Sequence, residues 1–313
     1  ITLGGAIAAM QALYTQNFTL LCAAHFLMGA GWASFQYFRF AAGEVVEKNW
    51  RPVAISLMLS SLLVAALVGP QVFIAAKDAM APIPFVGAYA AMGVIAVVGL
   101  IPLAFVRMPV AKRVAPDRLA SRFAAFAALR RPAIKRAVGI GAVSQGVMVF
   151  LMIPTPIAMV ACGFSADTAS DVVRWHIVAM FAPSFFTGFL IKRFGAQTIA
   201  TLGLIIIVAA AVAASLGITA MHFYGSLIVL GLGWNFGFIG ATTMLDAAVT
   251  EDEKAAVQGA NDTIIALVST VCAFAAGLVV SSLGWAALAI MSACLVLAAL
   301  AVLAVDRFAL ARA

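Results

Sequence analysis

The amino-acid sequence predicts an all-α integral membrane protein with ten transmembrane helices, divided into a group of four and a group of six. Three observations support this prediction: the composition, the length of the apolar runs and the placement of the basic residues. Hydrophobic residues make up 65% of the 313 residues and charged residues only 10%, and the mean hydropathy is +1.12. A soluble domain has about 25% charged residues, so the outer surface of this protein must face lipid.

The apolar runs have the length of membrane-spanning helices. A helix needs about 20 apolar residues to cross a bilayer, and an apolar run satisfies its backbone hydrogen bonds there only as a helix. A β-barrel is excluded because the sequence lacks short segments of alternating polarity. The ten predicted spans cover residues 1–14, 18–40, 52–76, 84–106, 134–161, 172–191, 197–217, 219–245, 259–281 and 283–305.

The basic residues predict the orientation. Of the 19 lysines and arginines, 17 lie in connections on one side of the predicted helices, and only Lys77 and Arg174 lie on the other. Because cytoplasmic loops carry the excess of lysine and arginine, we expect the first side to be the cytoplasm. With ten spans, both ends of this chain are then cytoplasmic. The net charge of +7 is thereby explained by topology, and no nucleic-acid partner is predicted.

The longest connection divides the chain into two helical regions. Residues 1–106 hold four predicted spans, residues 107–133 form a basic cytoplasmic linker, and residues 134–313 hold six spans. The middle of the linker, 117–129, is rich in alanine, arginine and leucine. It is predicted either as an amphipathic helix on the inner leaflet or as a plain basic connection, and both can hold together.

A short internal repeat indicates how the two regions are related. The string Gly29-Ala30-Gly31-Trp32 in the second span recurs as Gly231-Leu232-Gly233-Trp234 in the eighth. The two spans are six apart and therefore point the same way, which is typical of parallel six-helix halves. Since only four spans precede the linker, we expect two further spans before Ile1.

Two further motifs carry a family resemblance. Gly69-Pro70 in the third span is similar to the core of an antiporter-type helix-packing motif. The segment from Gly188 to Gly195, which contains Lys192 and Arg193, is similar to the loop motif G-x-L-x-D-R-x-G, with Lys192 at the aspartate position. On these strings the chain resembles the major facilitator superfamily, as helices three to twelve of twelve.

The resemblance implies a function. Members of this superfamily are secondary transporters that work by alternating access, so we expect a monomeric protein of the bacterial inner membrane that moves a small organic solute, with a proton or another ion as coupling partner. The strings at 35–42, 180–188 and 231–236 are similar to one bacterial branch. Neighbouring branches have been linked to riboflavin uptake, which makes a riboflavin-like solute a candidate substrate.

The solute cavity is predicted on three of the spans. In the superfamily, helices one, four, seven and ten line the cavity, and the last three correspond to spans two, five and eight. The fifth span is also interrupted by Pro154 and Pro156, as is common near transporter sites. The predicted lining residues are Trp32, Gln36, Tyr37, Gln145, Met152, Trp234 and Asn235. The alternative is that the glycines of G-x-G-W only allow close helix packing and that the tryptophans face lipid.

Two titratable residues within the spans are candidates for proton coupling, because an ionisable group in a bilayer is costly and needs a reason. They are His25 and Asp262. The alternative for His25 is a neutral imidazole hydrogen-bonded between helices. The alternative for Asp262 is a structural contact with Lys254, Arg193 or Asn261.

Other protein classes are disfavoured by what the sequence lacks. The four cysteines are scattered without metal-ligand or disulfide spacing, and no metal or cofactor is predicted. Paired carboxylates, nucleotide loops and the usual hydrolase motifs are also absent, so an enzyme is not predicted. The first alternative is a ten-helix drug/metabolite exporter with inverted repeats. A membrane-embedded enzyme and a non-transporting scaffold are less favoured alternatives.

Overall fold

A computed structural model describes residues 1–105 and 127–312 of the chain. These residues are helical apart from the turns that connect the helices, which confirms the all-α prediction. Most of the linker, including nearly all of the predicted amphipathic segment 117–129, lies outside the described residues.

Each of the ten predicted spans corresponds to helix in the structure. The helices before the linker are α1 (Thr2–Tyr14), α2 (Phe18–Gln36), α3 (Phe38–Glu44), α4 (Arg51–Ala76), α5 (Val86–Val98) and α6 (Leu100–Phe105). Those after it are α7 (Pro132–Met152), α8 (Thr155–Ala161), α9 (Ala166–Phe181), α10 (Ser184–Phe194), α11 (Ala196–Ser215), α12 (Ala220–Ala248) and α13 (Lys254–Arg312). A short 3-10 helix, Lys48–Trp50, precedes α4.

Among the residues that the structure describes, seven helical stretches are long and apolar enough to cross a membrane. The longest, Lys254–Val305, covers two predicted spans. The boundary between them is Gly284, whose φ of 81° divides α13 into 254–283 and 285–312. The first and fourth predicted spans are shorter, with Thr2–Tyr14 and Val86–Pro102 as their helices. Several spans therefore contain a break that the hydropathy pattern does not reveal.

Prolines account for two of these breaks. Pro154 separates α7 from α8 and Pro183 separates α9 from α10. Proline has no amide hydrogen and its ring clashes with the preceding turn, so it interrupts the helical hydrogen-bond ladder. The predicted interruption of the fifth span at Pro154 is observed.

The chain forms two compact units. The first comprises residues 1–45 and 64–112. In it α1 packs against α2 and α5. The contact between α1 and α2 is close, because a methyl group at Gly31 would overlap the side chain of Thr2 and one at Gly5 would lie 2.6 Å from Met28 Cγ.

The second unit comprises residues 46–63 and 113–313. Its centre is α12, which packs against α7, α9 and α11, while α13 packs against α7 and α11. Its boundaries differ from the predicted halves in one stretch: residues 46–63, which include the first half of α4, pack with the helices that follow the linker.

Glycines allow α12 to approach its neighbours closely. A methyl group at Gly203 of α11 would overlap the Gly237 amide nitrogen and lie 2.7 Å from the carbonyl oxygen of Gly233. Gly31 in α2 and Gly233 in α12 each face the preceding helix of their own unit. The two copies of the G-x-G-W repeat thus use their second glycine for the same kind of contact.

We expect the variant Gly203→Ala to be less stable than the wild type, because the backbone atoms that its methyl group would meet cannot yield without separating α11 from α12. Overpacking of this kind costs about 1–3 kcal/mol. The matched control is Gly225→Ala in α12, where an added methyl group meets nothing within 4 Å and helix propensity favours alanine by up to about 1 kcal/mol. Thermal unfolding of the detergent-solubilised protein measures both, and equal shifts of the midpoint would contradict the close-contact assignment.

Candidate functional site

An aromatic and amide cluster joins α7 to α12 in the second unit. The indole N–H of Trp234 donates a hydrogen bond to Oε1 of Gln145 at 2.7 Å. Phe238 stacks on Trp234 with the ring centroids 4.9 Å apart, and Phe181 meets it edge-on at 5.6 Å. Trp234 is only 4% exposed, whereas Gln145 is half-buried. Gln145 is therefore the polar member of this cluster that keeps exposed surface.

Asn235, the neighbour of Trp234, is fully enclosed. Its side-chain amide donates to the carbonyl oxygen of Met180 and to Oγ of Ser184, each at 2.6 Å. Its oxygen lies 2.6 Å from the hydroxyl of Thr187, which donates to it. Asn235 was predicted to line the cavity, but in this structure all of its polar atoms are bound within the helix packing of α9, α10 and α12.

The other predicted lining residue after the linker is Met152. It is half-buried and ends α7, immediately before the break at Pro154. It packs against both apolar clusters of the second unit, so it fills space between them.

The three predicted lining residues of the first unit lie where α2 ends. Trp32 is 59% exposed and Tyr37 is 40% exposed. Gln36 is half-buried, and its Oε1 accepts a hydrogen bond of 3.5 Å from Arg39. Arg39 is buried, with its guanidinium 4.7 Å from the ring centroid of Phe40. It is therefore packed among protein groups in this structure.

His25 is held in one tautomer by its contacts in the first unit. Its Nδ1 lies 2.8 Å from the carbonyl oxygen of Leu21, which accepts a hydrogen bond, so Nδ1 carries the hydrogen. Nε2 is then the acceptor for the hydroxyl of Tyr89, at 3.1 Å. The two rings meet edge to face. The side chain is exposed, and Nε2 is the position where a proton can be taken up.

Asp262 lies about two turns inside α13 and is half-buried. Its Oδ1 accepts a hydrogen bond of 2.9 Å from the side-chain amide of Asn261. That contact was one of the structural alternatives that the sequence left open. Lys254, another predicted partner, forms an ion pair with a different acid.

That acid is Asp246, which the sequence reasoning missed. It is buried near the end of α12, and Lys254 Nζ lies 3.1 Å from its Oδ1 and Arg51 Nη1 3.4 Å from its Oδ2. Arg51 also lies 3.6 Å from Glu251. The sequence offered one signal for this site, a single acid in the last turn of an apolar run, but its partner Arg51 is 195 residues away.

Around this ion cluster the structure has a cavity of about 390 Å³, lined by Lys48, Arg51, Pro52, Thr243, Asp246, Ala247, Val249, Thr250 and Glu251.

A second ion pair lies beside this cluster, between Arg131 and Glu253. Burial raises the pKa of Glu253, but hydrogen bonds from the Thr250 amide and the Arg131 guanidinium outweigh it and hold the pKa below its usual value. The stabilisation from this contact is therefore present at neutral pH and is lost as the pH falls through the lowered pKa.

A docking seam, formed by Trp50, Ser56, Ser184, Gly188 and Lys192, joins residues 46–63 to α10 in the second unit. The Ser56 hydroxyl donates to the carbonyl oxygen of Ser184 and accepts from the Gly188 amide at 3.0 Å. A methyl group at Gly188 would lie 2.5 Å from Cα of Val53. Gly188 thus lets the two helices touch.

Lys192 extends this seam. Its Nζ lies 3.7 Å from the ring centroid of Trp50, a cation–π contact, and Phe189 meets the same indole edge-on. Arg193 lies over the ring of Phe194. Gly195, with a φ of 87°, ends α10 and begins α11 directly, a conformation that glycine adopts without strain. The predicted loop motif therefore forms a contact surface. Lys192, at the aspartate position of the motif, pairs there with the ring of Trp50.

The other predicted packing motif is not seen to form a close contact. A methyl group at Gly69 would meet nothing within 4 Å in the described part of the chain. The side chain of Pro70 lies outside the described residues. Among those residues there is also no group of three or more histidine, cysteine, aspartate or glutamate side chains that could hold a metal ion.

Comparisons with known proteins agree with this architecture. The family model described as the Major Facilitator Superfamily matches residues 1–273. A riboflavin transporter of Brucella anthropi is 38% identical over 282 residues, which cover 90% of this chain and 70% of that protein. An uncharacterized MFS-type transporter of Bacillus subtilis is 30% identical over 315 residues, which cover 93% of this chain and 70% of that protein.

Solved structures show the same fold at low sequence identity. The fucose:proton symporter of E. coli superimposes with a TM-score of 0.76 at 17% identity, covering 98% of this chain and 81% of that one. A bacterial homologue of the iron transporter ferroportin gives a TM-score of 0.71 at 12% identity, covering 96% of this chain and 79% of that one.

We expect Asp246→Asn to destabilise the protein strongly, because it removes the counter-charge from Lys254 and Arg51 in a buried cluster. Breaking a buried pair costs about 3–5 kcal/mol. The matched control is Glu251→Gln, because that acid also faces Arg51 but is 74% exposed, and surface pairs contribute about 0–1 kcal/mol. Thermal unfolding in detergent measures both variants. If Glu251→Gln lowers the midpoint as far as Asp246→Asn does, the buried cluster does not stabilise the protein as described.

Proposed function

The chain belongs to the major facilitator superfamily and is a multi-pass membrane transporter, and on that premise we propose that it moves a riboflavin-like solute by proton-coupled alternating access. The observation that carries this proposal is the 38% identity to a riboflavin transporter over 90% of the chain. We further propose that it resides in the bacterial inner membrane as a monomer, as the family resemblance implies. The distribution of basic residues favours a cytoplasmic position for both ends of this chain.

The side chains on the predicted cavity helices support a planar, largely uncharged solute. Trp32 and Tyr37 are exposed in the first unit, and the Gln145 amide is accessible in the second. Aromatic rings and an amide bind a flat heteroaromatic molecule through ring contacts and a few directed hydrogen bonds, the usual composition of a small-molecule site. An exposed tryptophan at Trp32 also fits a lipid contact, which is the alternative named for it in the sequence analysis.

The docking seam supports alternating access. Residues 46–63 precede the linker in sequence but are bonded to α10, through Ser56 and Gly188. The contacts in this seam are two hydrogen bonds of the Ser56 hydroxyl and one cation–π pair, which can form and break at modest free-energy cost. Arg51 and Asp246 add an ion pair. We assign this set of contacts to the cytoplasmic closure of the transport cycle.

His25 supports proton coupling through a reversible hydrogen bond. In the observed tautomer Nε2 accepts from Tyr89. Protonation of Nε2 makes both ring nitrogens donors, so the Tyr89 oxygen must turn and accept instead. The Asp262 carboxylate in the second unit is the other candidate, since an acid within a span has a comparable reason to be there.

We expect the protein, reconstituted in proteoliposomes, to accumulate radiolabelled riboflavin when a pH gradient is imposed. Accumulation should stop when a protonophore collapses the gradient, and excess lumiflavin should compete because it carries the same ring system. Protein-free liposomes are the control, and gradients of both signs distinguish uptake with protons from exchange against them. A protein that leaves riboflavin at equilibrium under either gradient would refute the proposed substrate.

Substitution of the residue that carries the proton should abolish proton coupling and leave solute exchange intact. We expect His25→Asn to abolish accumulation driven by the pH gradient while riboflavin exchange at equal pH on both sides continues, because exchange requires no net proton movement. Asp262→Asn tests the second candidate in the same two assays.

The matched control for both is His222→Asn. His222 is another titratable residue of the chain, but its side chain is hydrogen-bonded to Thr219 at the start of α12, and it is not a coupling candidate. If gradient-driven accumulation survives in both His25→Asn and Asp262→Asn, neither residue carries the proton.

A further inference from the structure

We infer that Gln145 makes the polar contact to the solute in the second unit, and that Trp234 is a positioning residue that fixes which end of the Gln145 amide the solute meets. This inference rests on the proposed function and adds a chemical class to it: a solute that presents an uncharged hydrogen-bond acceptor at this point.

The orientation of the amide follows from the donor on Trp234. An indole N–H can only donate, and it lies 2.7 Å from the Gln145 side chain. The atom that faces it must therefore be the amide oxygen, and the NH₂ group points away. In the described part of the chain this is the single side-chain hydrogen bond made by Gln145, so the NH₂ group remains available as a donor.

The indole is held firmly enough to impose this orientation. Phe238 covers one face of Trp234 with ring planes 13° apart, and Phe181 packs edge-on against it. The indole is 4% exposed, so its rings are occupied by protein and do not form a stacking surface for a solute. Asn235 is enclosed by Met180, Ser184 and Thr187.

Among the described polar side chains named in this cluster, Gln145 is the one that keeps exposed surface. It is half-buried, while Ser144 before it and Asn235 next to Trp234 are both 0% exposed. Because the exposed group is a neutral NH₂, it favours a carbonyl oxygen or a pyridine-type ring nitrogen and disfavours a solute that offers only donors there. Flavin rings carry acceptors of both kinds.

The first test uses riboflavin transport kinetics in proteoliposomes. We expect Trp234→Phe to raise KM about 3- to 10-fold, the loss of one neutral hydrogen bond, with kcat within twofold, because the ring is retained and only the amide is released. Gln145→Ala should raise KM at least as much. The double variant should match Gln145→Ala, since Trp234 acts through Gln145 and the two effects are then not additive.

The matched control is Trp285→Phe. Trp285 is also buried, and its indole N–H donates to the carbonyl oxygen of Ala214 at 2.9 Å, away from Gln145. It should leave KM unchanged. An unchanged KM in Trp234→Phe, an equal rise in Trp285→Phe, or additive effects in the double variant would each overturn the inference.

The second test does not depend on riboflavin. Native Cys22, Cys162, Cys272 and Cys294 are free thiols and are first replaced. A water-soluble methanethiosulfonate reagent should then label Gln145→Cys, while Ser144→Cys, the enclosed neighbour, should stay unlabelled. Failure to label Gln145→Cys, or faster labelling of Ser144→Cys, overturns the inference. If Gln145→Cys is labelled but the wild type moves no riboflavin, the proposed substrate fails and the exposed donor stands.

Discussion

The close packing of α12 against α7, α9 and α11 is the contact on which the second unit depends. In a bilayer the hydrophobic effect does not drive apolar helices together, so association relies on van der Waals contact and on hydrogen bonds between helices. Gly203 and Gly233 bring the backbones of α11 and α12 within touching distance. On its other sides α12 is joined to its neighbours by hydrogen bonds, from Trp234 to Gln145 of α7 and from Asn235 to Met180 of α9.

The same helix carries groups with different tasks along its length. Trp234 orients an amide next to the proposed solute position, and Asp246 holds an ion cluster near the end of the helix. Twelve residues separate them, about 18 Å at about 1.5 Å per residue. The proposed solute contact and the ion cluster therefore lie on one continuous helix, Ala220–Ala248.

A helix break and polar contacts lie together at the docking seam. Pro183 interrupts the sixth span just before the docking seam, and the seam itself holds through Ser56 and the Lys192–Trp50 pair. Lys192, which stands at the aspartate position of the loop motif, contributes to the seam because its ammonium lies over the negative face of the Trp50 ring.

The sequence by itself determined the fold class and the ten spans, including the interruption at Pro154, because the bilayer requires long apolar helices and this requirement is visible residue by residue. It also identified the G-x-G-W repeat, in which Gly31 and Gly233 make equivalent contacts. Only the tertiary structure decided the environment of each side chain: Trp32 is exposed while Trp234 in the matching position is buried, and Asn235 is enclosed by other helices. Asp246 and Arg51 are 195 residues apart, so no local pattern could pair them. Span positions depend on local composition, whereas burial and pairing depend on which helices meet.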